Sequence, residues 1–193
     1  MTMKHITALL RSKQTVFTYR SASIILGISN SYTVKSMLYR LTKAGVLVHK
    51  YAGIWTLPNY NAYEFAMQIR SPCYISLETV LQQQGIIFQD YGRTITMVSD
   101  NTLVKQIDDY RYTYRKIQPA ILFDPLGIIH KDIYSMATPE RAAADMLYFQ
   151  PDYYFDNPYG LDIAQLHRIK LIYPPKTILA IDKLIDHVTH SKT

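Results

Sequence analysis

Apolar positions recur at helical spacing in some stretches of the chain and at every second residue in others, and the changes of period mark out its elements. In residues 4–11, Ile6, Leu9 and Leu10 fall on one face of a short first helix. The β-prone run Thr15-Val16-Phe17-Thr18 follows, then Ser21-Ala22-Ser23-Ile24-Ile25-Leu26, a brief helix that Gly27 ends in left-handed backbone. Ser29 or Asn30 can cap the next helix, whose Val34, Met37, Leu38 and Leu41 stand at i, i+3, i+4 and i+7 before Ala44-Gly45. Gly27-Ile28-Ser29 is therefore a tight turn between two helices. Residues 46–51 and 54–57 are strand-like and join across Ala52-Gly53 as a hairpin. Three helices with a tight turn before the third, followed by a hairpin, predict a winged helix-turn-helix over residues 1–60.

Residues 61–73 read as a connector, with a short helix over 64–69, and residues 74–193 as a second domain of mixed α/β type. The expected fold class of the whole chain is α+β. In the second domain Ser76 is placed to cap a helix running to Gln84 and closed by Gly85. Residues 94–98 alternate. So do residues 110–117, with Tyr110, Tyr112 and Tyr114 on one side and Arg111, Thr113 and Arg115 on the other. Residues 121–123 and 128–129 are shorter strand candidates around the turn Asp124-Pro125-Leu126-Gly127. Thr138 caps a helix with Pro139 in its first position and Glu140 at the positive end of its dipole. A polar, aromatic loop over 150–160 precedes a helix starting near Leu161. A final helix after Pro174-Pro175 carries Ile178, Ile181, Leu184, Ile185 and Val188 on one stripe.

Charge changes the picture of the first domain. The net charge of +6 hides two parts of opposite sign: residues 1–70 hold nine lysines and arginines against the single acid Glu64, and residues 71–193 hold twelve against fourteen. Residues 1–63 contain no acid, where the chain's mean frequency would place about five. Such a segment suits a polyanion. The third helix turns Ser31, Tyr32, Thr33, Lys35, Ser36, Tyr39, Arg40 and Lys43 away from its apolar stripe. Hydroxyls and first-turn N–H groups suit phosphate oxygens, and Arg40 or Lys35 suits guanine acceptors in the major groove. Base readout is expected from Asn30, Tyr32, Thr33 and Ser36, near the helix N-terminus. His49, Lys50 and Tyr51 of the hairpin are expected at backbone or minor groove, and Arg20 with Ser21 at a phosphate.

Four pieces, spread over residues 5–190, resemble the AbiEi family of antitoxins from bacterial abortive-infection (type IV) toxin–antitoxin systems. They are the N-terminal winged helix closing on Gly53-Ile54-Trp55-Thr56-Leu57-Pro58, the run Tyr74-Ile75-Ser76-Leu77-Glu78 continuing to Gly85-Ile86, Tyr114-Arg115-Lys116-Ile117, and Ala137-Thr138-Pro139-Glu140-Arg141-Ala142 with Asp145. The second and fourth are the specific ones. The resemblance implies a repressor that binds repeats in its own double-stranded promoter DNA, with cooperative assembly there, and a second domain that counteracts a cognate nucleotidyltransferase-like toxin. One departure is Ala52, where the family's wing usually has a basic residue.

No catalytic constellation stands out. Asp108-Asp109 read as a solvated turn, since adjacent aspartates on a strand would point to opposite sides, and Asp152, Asp156 and Asp162 show no convergence of the kind a two-metal site needs. His130, His167, His187 and His190 lack partners at fixed spacing, and neither a phosphate-binding glycine loop nor a nucleophile elbow occurs. Cys73, the lone cysteine, reads as a small buried residue rather than a nucleophile. No enzyme activity, metal or cofactor is expected. Tyr153, Tyr154, Phe155 and Tyr159 suggest a protein-contact loop. No apolar run approaches membrane-spanning length, and residues 1–14 are too short and basic for a signal peptide, so a cytoplasmic protein without membrane partners is expected. The alternative is a winged-helix regulator whose second domain senses a ligand or oligomerises, with no toxin partner.

Overall fold

The computed structural model describes residues 3–190, an α+β chain that divides between Arg70 and Ser71 into two compact units. No helix among the described residues is long and apolar enough to cross a membrane.

The first unit contains α1 (Met3–Arg11), β1 (Val16–Thr18), α2 (Tyr19–Leu26), α3 (Ser31–Lys43), β2 (Val48–Tyr51), β3 (Ile54–Thr56) and α4 (Ala62–Ile69). The three strands make an antiparallel sheet in the order β1-β3-β2. Thr18 caps α2 in a reciprocal box with Ser21, and Gly27 closes that helix at φ +66°. Of the two capping candidates for α3, Asn30 does the work: its Oδ1 accepts the Thr33 N–H at 3.1 Å. The apolar stripe of α3 delivers Val34, Leu38 and Leu41 into a core with Leu9, Phe17, Ala22 and Leu47, all 2% exposed or less.

The segment read as a connector is divided between the units. Helix α4 belongs to the first, capped by Asn61, and it carries Glu64 at only 2% exposure. Glu64 Oε2 accepts the Thr15 N–H at 2.8 Å and the Thr15 hydroxyl at 2.6 Å. The only acid of the first 70 residues thus ties the helix to the strand β1. Burial holds its carboxyl above the ordinary value, against the lowering pull of the Thr15 and Val16 donors. Because the folded value exceeds the unfolded one, the unfolded chain binds fewer protons between the two, and Glu64 contributes less stability as pH rises through that window. Glu64→Gln places an amide donor against donors and is expected to lower stability by about 1–2 kcal/mol. Urea unfolding of both chains at several pH values is expected to show the gap widest on the acid side of the window.

The second unit holds β4 (Cys73–Ile75), α5 (Glu78–Gln83), β5 (Thr94–Ser99), β6 (Leu103–Ile107), β7 (Tyr110–Lys116), α6 (Pro119–Leu122), β8 (Ile128–His130), β9 (Ser135–Ala137), α7 (Pro139–Phe149), α8 (Ile163–Ile169) and α9 (Pro175–His190). Its sheet runs β6-β7-β5-β4-β9-β8, with β5–β7 and β4–β9 parallel and the other pairs antiparallel. Tyr112 and Tyr114 are fully buried on one face of β7, and Arg111 on the other is exposed.

Two expectations are corrected. Residues 121–123 are not a strand: Gln118 and Pro119 start the short helix α6, which buries Ile121 and Leu122 and leaves Phe123 exposed. Ser76 does not cap α5. Its hydroxyl is drawn to Asp145, and Leu77 takes the capping position without a side-chain bond, at φ 57°, ψ −137°. Such backbone costs a branched side chain about 1–3 kcal/mol, which full burial of Leu77 helps to offset.

Candidate nucleic-acid interface

The exposed face of α3 is built by exclusion. With Val34, Leu38 and Leu41 committed to the core, Ser31, Tyr32, Thr33, Lys35, Tyr39, Arg40 and Lys43 stand in solvent and Ser36 is half-buried among them. Tyr32 and Tyr39 are 81% and 60% exposed, far beyond what a packing tyrosine shows. Lys43 Nζ lies 5.5 Å from the centre of the Tyr39 ring, and Lys35 Nζ lies 5.9 Å from that of Tyr19. Rings so placed hold flexible ammonium groups above the helix surface. Since Glu64 is buried, no carboxylate reaches solvent among the described residues of the first unit.

Other expected contact residues are placed differently. Asn30 is exposed, but its side-chain oxygen is occupied by the cap of α3, so only its amide N–H groups are left to donate outward. The Ser21 hydroxyl is engaged with Thr18 at the start of α2, whereas the neighbouring Arg20 is exposed. In the β2–β3 hairpin, His49 faces Trp55 with ring centres 5.0 Å apart. Lys50 falls at the register irregularity of β2, with Nζ 5.8 Å from the Tyr60 ring centre. Tyr51 is half-buried.

The motif residues of the second unit converge on one buried centre. Arg141 and Asp145, one turn apart on α7, are both fully buried. The guanidinium spends all five N–H groups: Nε to Asp145 Oδ1 at 3.4 Å, Nη1 to the carbonyls of Asp124 (3.3 Å) and Leu126 (2.6 Å), Nη2 to the Ile121 carbonyl (2.6 Å) and the Tyr74 hydroxyl (2.9 Å). Asp145 in turn accepts from the hydroxyls of Ser76 (2.7 Å), Tyr173 (2.6 Å) and Tyr74 (3.1 Å). Burial pushes the Asp145 carboxyl upward against Arg141 and these donors. Burial also works against the Arg141 charge, and the Asp145 carboxylate together with the oxygens around the guanidinium outweighs it, so arginine stays charged. Burial and the Asp145 charge raise both tyrosines, which remain neutral donors. A closed network of this kind organises a core.

The remaining motif residues frame that centre. Thr138 caps α7 by accepting the Arg141 N–H, behind Pro139, and its own N–H reaches the Gly127 carbonyl at 2.7 Å. Gly127, at φ +75°, has no room for a side chain, since a Cβ there would lie 2.8 Å from that of Arg141. Glu140 Oε1 accepts the Asp162 N–H at 3.1 Å. Glu78 lies outside the network, 3.7 Å from Arg115, whose guanidinium stacks 4.0 Å from the centre of the Phe149 ring. The reading of the sequence missed Tyr173 and the three carbonyls. Arg141 and Asp145 flanking three alanines were the available signal, because an alanine-rich helix face buries whatever charges it carries.

The acids of the second unit stay apart. Asp108 and Asp109 form the β6–β7 turn, Asp109 paired with Arg93 at 2.8 Å, and Asp156 accepts the Phe88 N–H. Among the described residues no group of three His, Cys, Asp or Glu side chains is arranged to hold a metal ion. Cys73 is buried in β4.

No family model and no curated protein matches the chain. Among solved structures it is similar to the crystal structure of the RV2827C protein from Mycobacterium tuberculosis, with a TM-score of 0.54 over 94% of this chain and 74% of that one. Identity is 12%, so the likeness is one of fold.

Proposed function

We propose that the chain is a DNA-binding antitoxin of the AbiEi kind. In this reading the first unit is a winged helix-turn-helix that represses its own promoter, and the second opposes a nucleotidyltransferase-like toxin in the cytoplasm. The observation that carries it is the absence of any solvent-facing carboxylate in a unit with nine basic residues, combined with a helix face of tyrosine, serine and threonine hydroxyls, lysines and Arg40. A solvated helix face mixes both signs. A face without acids repels nothing on a phosphate backbone and favours counterion release on binding. For the second unit, the support is the convergence of Tyr74, Ser76, Arg141 and Asp145, residues of the resemblance motifs, on one centre that fixes the surrounding loops.

The test is a titration of the full chain into the duplex upstream of its gene and into a scrambled duplex, at two salt concentrations. Preference for the upstream DNA is expected to persist at the higher salt, and equal binding that salt erases would overturn the reading. The antitoxin half is tested by co-expression with a toxin encoded beside it, with growth rescue expected. A second reading, a regulator whose second unit senses a ligand, is favoured by a groove of about 230 Å³ lined by Tyr153, Phe155, Lys183 and His187. Failure of the chain to restore growth would favour it.

A further inference from the structure

On the same face of α3 lies a recess of about 170 Å³, formed by Tyr32, Thr33, Ser36, Met37 and Arg40. It exists because Ser36, between Tyr32 and Arg40 on the i, i+4 row, is too short to fill the gap its neighbours leave. Met37 closes one side. It packs against the buried core of the unit and still borders the recess, so it presents a fixed apolar surface within a polar, cationic face. Tyr32 adds an aromatic wall at 81% exposure.

Such a combination has one natural counterpart on a duplex. Phosphates and sugars present nothing apolar to the major groove, and among the base edges only thymine carries a methyl group there. We propose that this recess, resting on the reading of α3 as the DNA-contacting helix, receives the C5-methyl group of a thymine and makes Met37 and Ser36 specificity-determining residues. Thr33, beside the methyl site, supplies a hydroxyl for the thymine O4 acceptor. Arg40 lies four residues beyond Ser36, about 6 Å along the helix, or about two base steps in the groove. A guanine within two steps of the thymine is therefore the expected neighbour, its N7 and O6 taken by the Arg40 fork.

The experiment starts from a pool of random duplexes selected on the full chain. The recovered duplex is remade with each thymine replaced in turn by uracil, which removes the methyl group alone. At one position uracil is expected to weaken binding about fourfold, the worth of one buried methyl. In Met37→Ala, and in Ser36→Leu, which fills the recess from a half-buried position without touching the core, thymine and uracil duplexes are expected to bind alike. Ser36→Leu also keeps the test open if Met37→Ala does not fold. Uracil tolerated at every position, or thymine preference retained in Ser36→Leu, would overturn the inference while leaving α3 as a DNA-binding helix. Failure of the selection to enrich any sequence would overturn both.

Discussion

Asp145→Ala is expected to lower the stability of the second unit by about 3–5 kcal/mol, the cost of leaving a buried charge without its partner. The guanidinium of Arg141 would keep its three carbonyls and lose the only carboxylate beside it, and the hydroxyls of Ser76 and Tyr173 would lose their acceptor. Because a domain of this size has about 5–15 kcal/mol in all, the change is large enough to populate unfolded chains at growth temperature. Arg141→Lys is expected to do comparable damage, since one ammonium cannot span Ile121, Asp124, Leu126, Tyr74 and Asp145 together. Urea unfolding followed by circular dichroism measures both. A transition midpoint equal to that of the parent chain would mean that the network does not hold the unit together.

Arg40→Glu is expected to weaken binding to the upstream duplex about a hundredfold, the loss of a bidentate base contact together with the first solvent-facing acid on this face. Arg40 is exposed, so its replacement leaves the core of the unit intact. The salt dependence of the remaining affinity separates the two ways it acts. A guanine contact leaves the slope unaltered, whereas a phosphate contact lowers it by about one counterion. Arg168→Glu supplies the control, because it makes the same change of charge on an exposed site of α8 in the second unit. Equal losses in both variants would reduce the effect to net charge and remove α3 from the interface.

Most of the first unit was legible because each of its elements carries a local signal. The stripe Val34, Met37, Leu38, Leu41 sets α3, Gly27 ends α2, and the turn at Gly53 joins two strands. Helix α4 was visible but not its role, since nothing local tells that Glu64 turns inward to bond residues 49 positions earlier. In the second unit β4, β6 and β9 escaped notice. Three-residue strands such as Cys73–Ile75 and Ser135–Ala137 are too short to display a period, and β6 alternates only between half-buried and exposed positions. Residues 121–123 misled for the related reason that a short apolar run fits a buried helix turn as well as a strand. The buried centre was half legible. Its motif residues stood out singly, while their meeting depends on β4, α6, α7 and the separate loops at residues 124–126 and Tyr173, which only the tertiary fold brings together.

Strand β4 has a consequence for how the protein is made. It is the first strand of the second unit to leave the ribosome, yet it lies inside the sheet, between β5 and β9. Its parallel partner Met136 is 61 residues further along, about 3 to 12 seconds of synthesis at about 5–20 residues per second. Through that interval one edge of Cys73–Ile75 has no strand to pair with, while every segment of the first unit already has its partners. The nascent chain therefore carries a finished basic unit ahead of an open sheet edge, and the edge closes only when β9 arrives.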